Sequence, residues 1–145
     1  MKWTGNLGKG TSNYRSYSRN HEISTPGKSI IEGSSDPSFR GDPARYNPEE
    51  LFLSSLSSCH MLWFLHLSST RGITVLSYED HPEGVMIEEA NGSGKFTEVH
   101  LYPRIQLAEA QHEEVLRGIH QEANQKCFIA QSCNFPVLHA ATYQV

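Results

Sequence analysis

The sequence from Asn47 to Ser69 reads NPEELFLSSLSSCHMLWFLHLSS and predicts a long helix. Asn47 can cap its start, and Pro48 suits the first helical position because a missing N–H costs nothing there. The next two residues are glutamates, which favour the positive end of a helix dipole. Gly72 follows the last helical residues and suits a C-terminal stop. The start and the end of this helix are therefore both marked by local chemistry.

Apolar side chains surround the axis of this helix instead of lining one stripe. They are Leu51, Phe52, Leu53, Leu56, Met61, Leu62, Trp63, Phe64, Leu65 and Leu67. A helix that is apolar all round is usually covered on most sides, so it is predicted to be the central helix of the fold. Four serines and two histidines interrupt the run 51–67, which favours a buried helix over a membrane span.

The rest of the chain predicts an α+β fold. Short β-capable pieces separated by glycines in 2–31 indicate antiparallel strands joined by turns. Three strands are predicted at 73–78, 84–88 and 96–107, where apolar residues alternate and Pro103 indicates an edge or a bulge. A second helix from about Ala110 places Leu116, Ile119, Ala123, Cys127 and Ala130 on one face. The predicted last strand is 137–145, so antiparallel strands pack beside two helices.

Length and charge limit the possible functions. With 145 residues and a formal net charge of −4, the chain fits one domain over 1–145 and carries no broad basic field for nucleic acid or anionic lipid. The first residues lack the apolar stretch of a secretory signal, so we expect a cytoplasmic protein with thiols that are reduced at rest.

The three cysteines, Cys59, Cys127 and Cys133, have no CxxC spacing. This argues against a disulfide scaffold and leaves reactive or simply buried thiols as interpretations. A zinc site from these cysteines and a histidine is an alternative, although none of the usual ligand spacings occurs. His60 and His66 are six residues apart and do not share a helix face, and for His60 a core position is favoured over a place in a pocket wall.

Cys59 lies about three turns inside the helix, beyond the reach of the helix dipole. Burial there leaves a thiol protonated and inert unless a cation stabilises the thiolate. Candidate arginines precede the helix in glycine-rich or irregular segments. They are Arg15, Arg19, Arg40 and Arg45.

The residues 47–59, NPEELFLSSLSSC, are followed 68 positions after Cys59 by Cys127 in the sequence ANQKC. In motif, spacing and order of elements, nearly the whole chain resembles the OsmC/Ohr family, and 124–137 looks like its OsmC-like branch. The resemblance implies an OsmC-like fold, an intertwined homodimer, and a cysteine-based peroxidase that needs no metal or organic cofactor.

The resemblance also implies the roles of individual residues. Cys59 would attack the O–O bond of an organic hydroperoxide, and Cys127 would resolve the sulfenic acid to a disulfide. Glu49 would be the carboxylate of the site, beside an arginine. Dithiols, typically dihydrolipoyl groups, would recycle the enzyme. The arginine position of OsmC falls at Phe39, one place from Arg40.

Several alternatives stay open. Arg40 is the preferred arginine, whereas the arrangement of Ohr would favour Arg15 in the N-terminal strands. Cys133 could compete as the resolving thiol, and Cys127 is followed by Phe128 where the better-known branches have proline. A non-catalytic redox sensor or stress-associated binding protein is the alternative function.

Assembly is predicted from helix geometry. On a straight helix Glu49 and Cys59 would lie roughly 15 Å apart, too far for one arginine to bridge within a single chain. Either Glu49 precedes the regular helix, or the site takes groups from a second subunit. The resemblance implies an intertwined homodimer with two sites at the interface, and a helix that is apolar on all sides suits that arrangement, so an obligate homodimer is expected.

Overall fold

The computed structural model describes residues 1–145, which form two compact units, 1–52 and 53–145. The prediction of one domain over 1–145 stays a prediction. In the first unit, strands β1 (Lys2–Trp3), β2 (His21–Ile23) and β3 (Ile31–Gly33) form an antiparallel sheet in the order β1-β2-β3. The antiparallel strands predicted for this segment are confirmed.

Helix α1 (Pro48–Thr70) begins in the first unit and continues into the second. The amide of Glu50 donates to Asn47 Oδ1 at 2.7 Å, and the Asn47 amide donates to Glu50 Oε2 at 2.9 Å. This reciprocal capping box satisfies two amides that the first turn leaves without helical partners. The predicted cap and first helical position are confirmed.

The end of α1 depends on Gly72, which has a φ of +70°. The Ile73 amide donates to Ser68 O at 2.9 Å and the Gly72 amide to Ser69 O at 3.1 Å. These two bonds form a Schellman motif, in which glycine adopts the left-handed conformation without steric cost.

The second unit contains two three-stranded sheets, β4-β7-β9 and β5-β6-β8. The strands are β4 (Val75–Glu79), β5 (Glu83–Glu88), β6 (Gly94–Leu101), β7 (Arg104–Leu107), β8 (Val137–His139) and β9 (Thr142–Gln144). β5 and β6 pair antiparallel, as do β4 and β7, whereas β8 joins β6 and β9 joins β7 in parallel. The sheets of this unit are therefore mixed.

Two predicted strands are divided in the structure. The segment predicted at 96–107 forms β6 and β7, which lie in different sheets on either side of Pro103. Its predicted alternation is confirmed, because Val99, Leu101, Ile105 and Leu107 are buried. The predicted last strand likewise forms two strands, β8 and β9. The C-terminal segment therefore contributes one strand to each sheet of this unit.

The second helix, α2 (Glu113–Lys126), ends sooner than predicted, and the short α3 (Phe128–Gln131) follows Cys127. The core of the second unit joins α1, α2 and the β4-β7-β9 sheet. Its buried members are Phe64, Leu67, Ile73, Ile105, Leu107, Leu116, Ile119 and Ala123. The fold is α+β, as predicted. No helix is both long and apolar enough to cross a membrane.

Candidate active site

Two thiols meet where α1 lies against the C-terminal end of α2. Cys59 is partly buried on α1, and Cys127, only 1% exposed, occupies the position between α2 and α3. The two side chains are close enough for Cys59 to raise the pKa of the Cys127 thiol. Residues separated by 68 positions in the sequence are thus neighbours in the fold, and both cysteines are free thiols.

Cys127 is held as a neutral thiol. Burial is the main cause that raises its pKa above the ordinary value, and the neighbouring Cys59 raises it further. The amide of Ala130 donates to Cys127 Sγ at 3.4 Å and acts in the opposite direction. Because the backbone at Cys127 is extended, α2 stops there, and the sulfur faces both α1 and the amides of α3.

Cys133 lies beyond α3 and has a different partner. Its Sγ donates to the carbonyl of Ile129 at 3.2 Å, and burial raises its pKa. Cys133 is partly buried and stays the alternative resolving thiol. The resolving role of Cys127 stays a prediction.

The arginines of the first unit fall into two groups. Arg19 lies between the rings of Tyr14 and Tyr17, 4.2 and 4.3 Å from their centroids, and donates to both backbone carbonyls. Arg45 is paired with Glu32 and Asp42. Both therefore have local structural partners, which leaves Arg15 and Arg40 as the exposed candidates.

Arg40 ends a short 3-10 helix, Pro37–Phe39, with a φ of +66°. This is the only non-glycine residue with a positive φ, a conformation that side chains with a Cβ seldom adopt. Glu49 lies in the first turn of α1, so it does not precede the regular helix. The roles of Arg40 and Glu49 stay predictions.

An open cavity of about 270 Å³ lies along α1, beyond Cys59. It is lined by Leu62, Trp63 and His66, which stand three, four and seven residues after Cys59. These spacings place the cavity on the same helix face as the thiol, one to two turns further on. Trp63 lines this cavity, whereas the neighbouring Phe64 is fully buried in the core.

Three histidines form a cluster that sequence reasoning did not find. His60 Nε2 lies 2.8 Å from His120 Nδ1, and the ring of His139 is 5.3 and 5.0 Å from the two, centroid to centroid. The core position favoured for His60 agrees with its 2% exposure. A signal was present in the sequence, because His120 follows Ile119 and precedes Ala123 by three residues on the apolar face of α2.

The rings of His60 and His120 meet nitrogen to nitrogen, which is a hydrogen bond and is too close for a metal ion between them. Among the histidines, cysteines and carboxylates, no group of three or more is arranged to hold a metal ion. No cluster of side chains in the structure therefore matches the alternative of a zinc site built from the cysteines.

Comparison with known proteins identifies the family. A family model described as OsmC-like protein matches residues 41–139, so the chain belongs to the OsmC-like family. An OsmC-like protein of unknown function from Vibrio cholerae has 30% sequence identity and a TM-score of 0.85, with 97% of this chain and 95% of that chain covered. Comparison with curated protein sequences gives no match.

Two organic hydroperoxide resistance proteins have the same fold. The protein from Elizabethkingia anophelis has 19% identity and a TM-score of 0.69 over 87% of this chain and 90% of that chain. OhrB of Bacillus subtilis has 16% identity and a TM-score of 0.60 over 85% and 97%. The resemblance inferred from the sequence is therefore confirmed at the level of family and fold.

Proposed function

We propose that this protein is a cysteine-based peroxidase that reduces organic hydroperoxides to alcohols. The observation that carries the proposal is that Cys59 and Cys127 are close enough for one thiol to raise the pKa of the other. A partly buried thiol beside a fully buried one is the arrangement that a sulfenic acid needs for rapid condensation to a disulfide. The organic hydroperoxide resistance proteins of the same fold support the choice of substrate.

The proposed reaction has three steps. Cys59 attacks the terminal peroxide oxygen, so that the thiol and ROOH become Cys59 sulfenic acid and ROH. The sulfenic acid and the Cys127 thiol then form a disulfide, and the sulfenic oxygen leaves as water with the proton of Cys127. A dithiol finally reduces the disulfide and becomes a disulfide itself.

The cavity beside Cys59 supports an organic rather than an inorganic peroxide. Leu62 and Trp63 supply apolar and aromatic surface one turn beyond the attacking sulfur. An alkyl or aryl group in the cavity would leave the peroxide oxygens near Cys59. Hydrogen peroxide has no group to bind there.

Activation of Cys59 is assigned to Arg40, together with Glu49. Arg19 and Arg45 already have partners, which favours the exposed Arg40 or Arg15 as the cation that approaches the thiolate. A guanidinium can stabilise the thiolate and donate to a peroxide oxygen at the same time. Arg40 is the first choice because it lies next to the position that the family motif indicates.

A homodimer would complete the site. Glu49 and Cys59 lie ten residues apart within α1, and the buried residues of this 23-residue helix are Leu56, His60, Phe64, Leu67 and Ser68. Leu62 is 62% exposed, so apolar surface of α1 is uncovered in one chain. A second copy would cover it and bring a second set of charged groups. Light scattering should therefore give twice the mass of the 16.3 kDa chain at micromolar concentration, and a monomer would contradict the arrangement.

The proposed setting is the cytoplasm, with a dithiol, such as a dihydrolipoyl protein, as the reductant. Reducing systems there would return Cys59 and Cys127 to thiols after each turnover. A dithiol suits the last step because its second thiol releases the mixed disulfide without a further partner.

The test is the consumption of cumene hydroperoxide by the purified protein with dihydrolipoamide. We expect sustained turnover by the wild type and a loss to the uncatalysed rate in Cys59→Ser. The matched control is Cys133→Ser, which should keep at least half of the activity. Stoichiometric oxidation of Cys59 without turnover by any dithiol would instead favour the redox-sensing alternative.

A further inference from the structure

A buried hydrogen bond between two imidazoles joins α1 and α2. His60 and His120 are 2% and 1% exposed, and the Nε2 and Nδ1 atoms that face each other are 2.8 Å apart. Because burial lowers the pKa of both rings, both are neutral at pH 7, and one nitrogen donates while the other accepts. Such a bond inside a core is strongly directional, since neither partner can turn to water.

The rings are held in place by their neighbours. The Phe64 ring stacks on His120 with a centroid distance of 4.3 Å, and His139 on β8 lies 5.0 Å from the same ring. The Nε2 atom of His120 has no partner. The contact with His60 is therefore the hydrogen bond that orients this imidazole.

The hydrogen bond lies one residue from the thiol pair on α1 and about two turns from it on α2. His60 follows Cys59 directly on α1, and His120 precedes Cys127 by seven residues, about two turns, on nearly the same face of α2. The two helices are thus joined at two separate points, by the imidazoles and by the thiols. Together with the buried Phe64 and Leu67, these contacts on different sides of α1 define its rotation about its own axis.

We propose that His60 and His120 are positioning residues, and that their hydrogen bond sets the rotation of α1 at which Cys59 faces Cys127. The inference rests on the proposed function only in treating these two thiols as the redox pair. Loss of the bond loosens the turn of α1 that carries Cys59, which lowers the effective concentration of one thiol at the other, whereas Phe64 and Leu67 keep the helix in the core.

The test measures the equilibrium of the thiol pair with reduced and oxidised glutathione, in a Cys133→Ser background. Glutathione disulfide takes two electrons from the two thiols and becomes two glutathione molecules, so no peroxide is needed. The critical comparison is His120→Asn with His120→Gln. The asparagine amide reaches the position of Nδ1 and can keep the bond to His60, whereas the glutamine amide reaches that of Nε2 and cannot.

The same comparison is made on α1, where His60→Gln can keep the bond through the position of Nε2 and His60→Asn cannot. His81→Asn, an exposed histidine between β4 and β5, is the control. We expect the equilibrium constant for disulfide formation to stay within about threefold of the parent in the two variants that keep the bond. It should fall at least tenfold in those that lose it, which makes the reduction potential about 30 mV less negative.

Equal constants for asparagine and glutamine at both positions overturn the inference, whether both stay at the parent value or both fall. The two variants of each pair carry the same functional group, so a general cost of replacing a core histidine acts on both. Absence of hydroperoxide turnover in the wild type, with the expected pattern in glutathione, removes the proposed function and leaves the positioning role.

Discussion

His60 Nε2 and His120 Nδ1 lie 2.8 Å apart in the core of the second unit, and burial lowers the pKa of His60 to about 4 and that of His120 to about 3. The unfolded chain takes up these protons near pH 6.5. Their contribution to stability is therefore complete above pH 6.5 and is lost as the pH falls through about 4 and 3.

Because these two histidines have lowered pKa values in the folded state, the protein is predicted to lose stability in acid. Between pH 7.5 and 4.5 the free energy of unfolding should fall by a few kcal/mol, since a tenfold change in a protonation equilibrium corresponds to about 1.4 kcal/mol. Urea unfolding across this range checks it. The double variant His60→Gln and His120→Asn should show a flatter curve. An equally steep curve in the double variant would assign the loss to other groups, His139 or the carboxylates.

One equivalent of cumene hydroperoxide is expected to produce a Cys59–Cys127 disulfide, because these two thiols are close enough for one to raise the pKa of the other. Peptide mapping after alkylation of the remaining thiols identifies the pair. In Cys127→Ser the sulfenic acid should persist and be trapped by dimedone. A Cys59–Cys133 peptide from the wild type would move the resolving role to Cys133.

Replacement of Arg40 by alanine should slow alkylation of Cys59 at neutral pH by about tenfold, because a neighbouring guanidinium increases the thiolate fraction. Arg15→Ala is the matched control and should change the rate less than twofold. Iodoacetamide kinetics in a background with the other two cysteines replaced by serine make the comparison. The reverse pattern would place the activating cation in the N-terminal strands.

Trp63 lines the cavity one turn beyond Cys59, so Trp63→Ala should reduce kcat/KM for cumene hydroperoxide by about tenfold, the cost of a lost apolar contact in a pocket. The rate with hydrogen peroxide should change less than threefold. Leu76→Ala, on the exposed side of β4, controls for general effects. Equal losses with both peroxides would show that the cavity does not select the substrate.

The prediction of a single domain can be tested by unfolding. Since α1 begins in the first unit and continues into the second, we expect one cooperative transition with coincident tryptophan fluorescence and far-UV circular dichroism curves. Trp3 reports on the first unit and Trp63 on the second. Separate transitions in the variants Trp3→Phe and Trp63→Phe would contradict the prediction.

Sequence reasoning was strongest where the chemistry is local. The start of α1 was predicted from Asn47 and its neighbours, because the cap and its partner lie three residues apart. The alternation in β6 and β7 was predicted for the same reason. The parallel pairing of β6 with β8 was not, since it joins segments nearly 40 residues apart and leaves no signal in either.

The end of α2 illustrates the limit of periodicity. Ala130 continues the apolar spacing of the helix, yet α2 ends at Lys126 and Cys127 is extended. The residues between carry no glycine or proline to mark the break. Because α2 ends before Cys127, the Cys127 sulfur lies near Cys59 and accepts a hydrogen bond from the Ala130 amide.

By itself the sequence determined the limits of α1, the depth of Cys59 within it, and the inward face of α2 that carries Cys127, because these depend on neighbours within one or two turns. Only the tertiary structure decided that Cys59 meets Cys127, and that His60 meets His120 one residue further along α1. Those contacts join positions 68 and 60 residues apart, so they depend on how two helices cross in a common core rather than on any local preference.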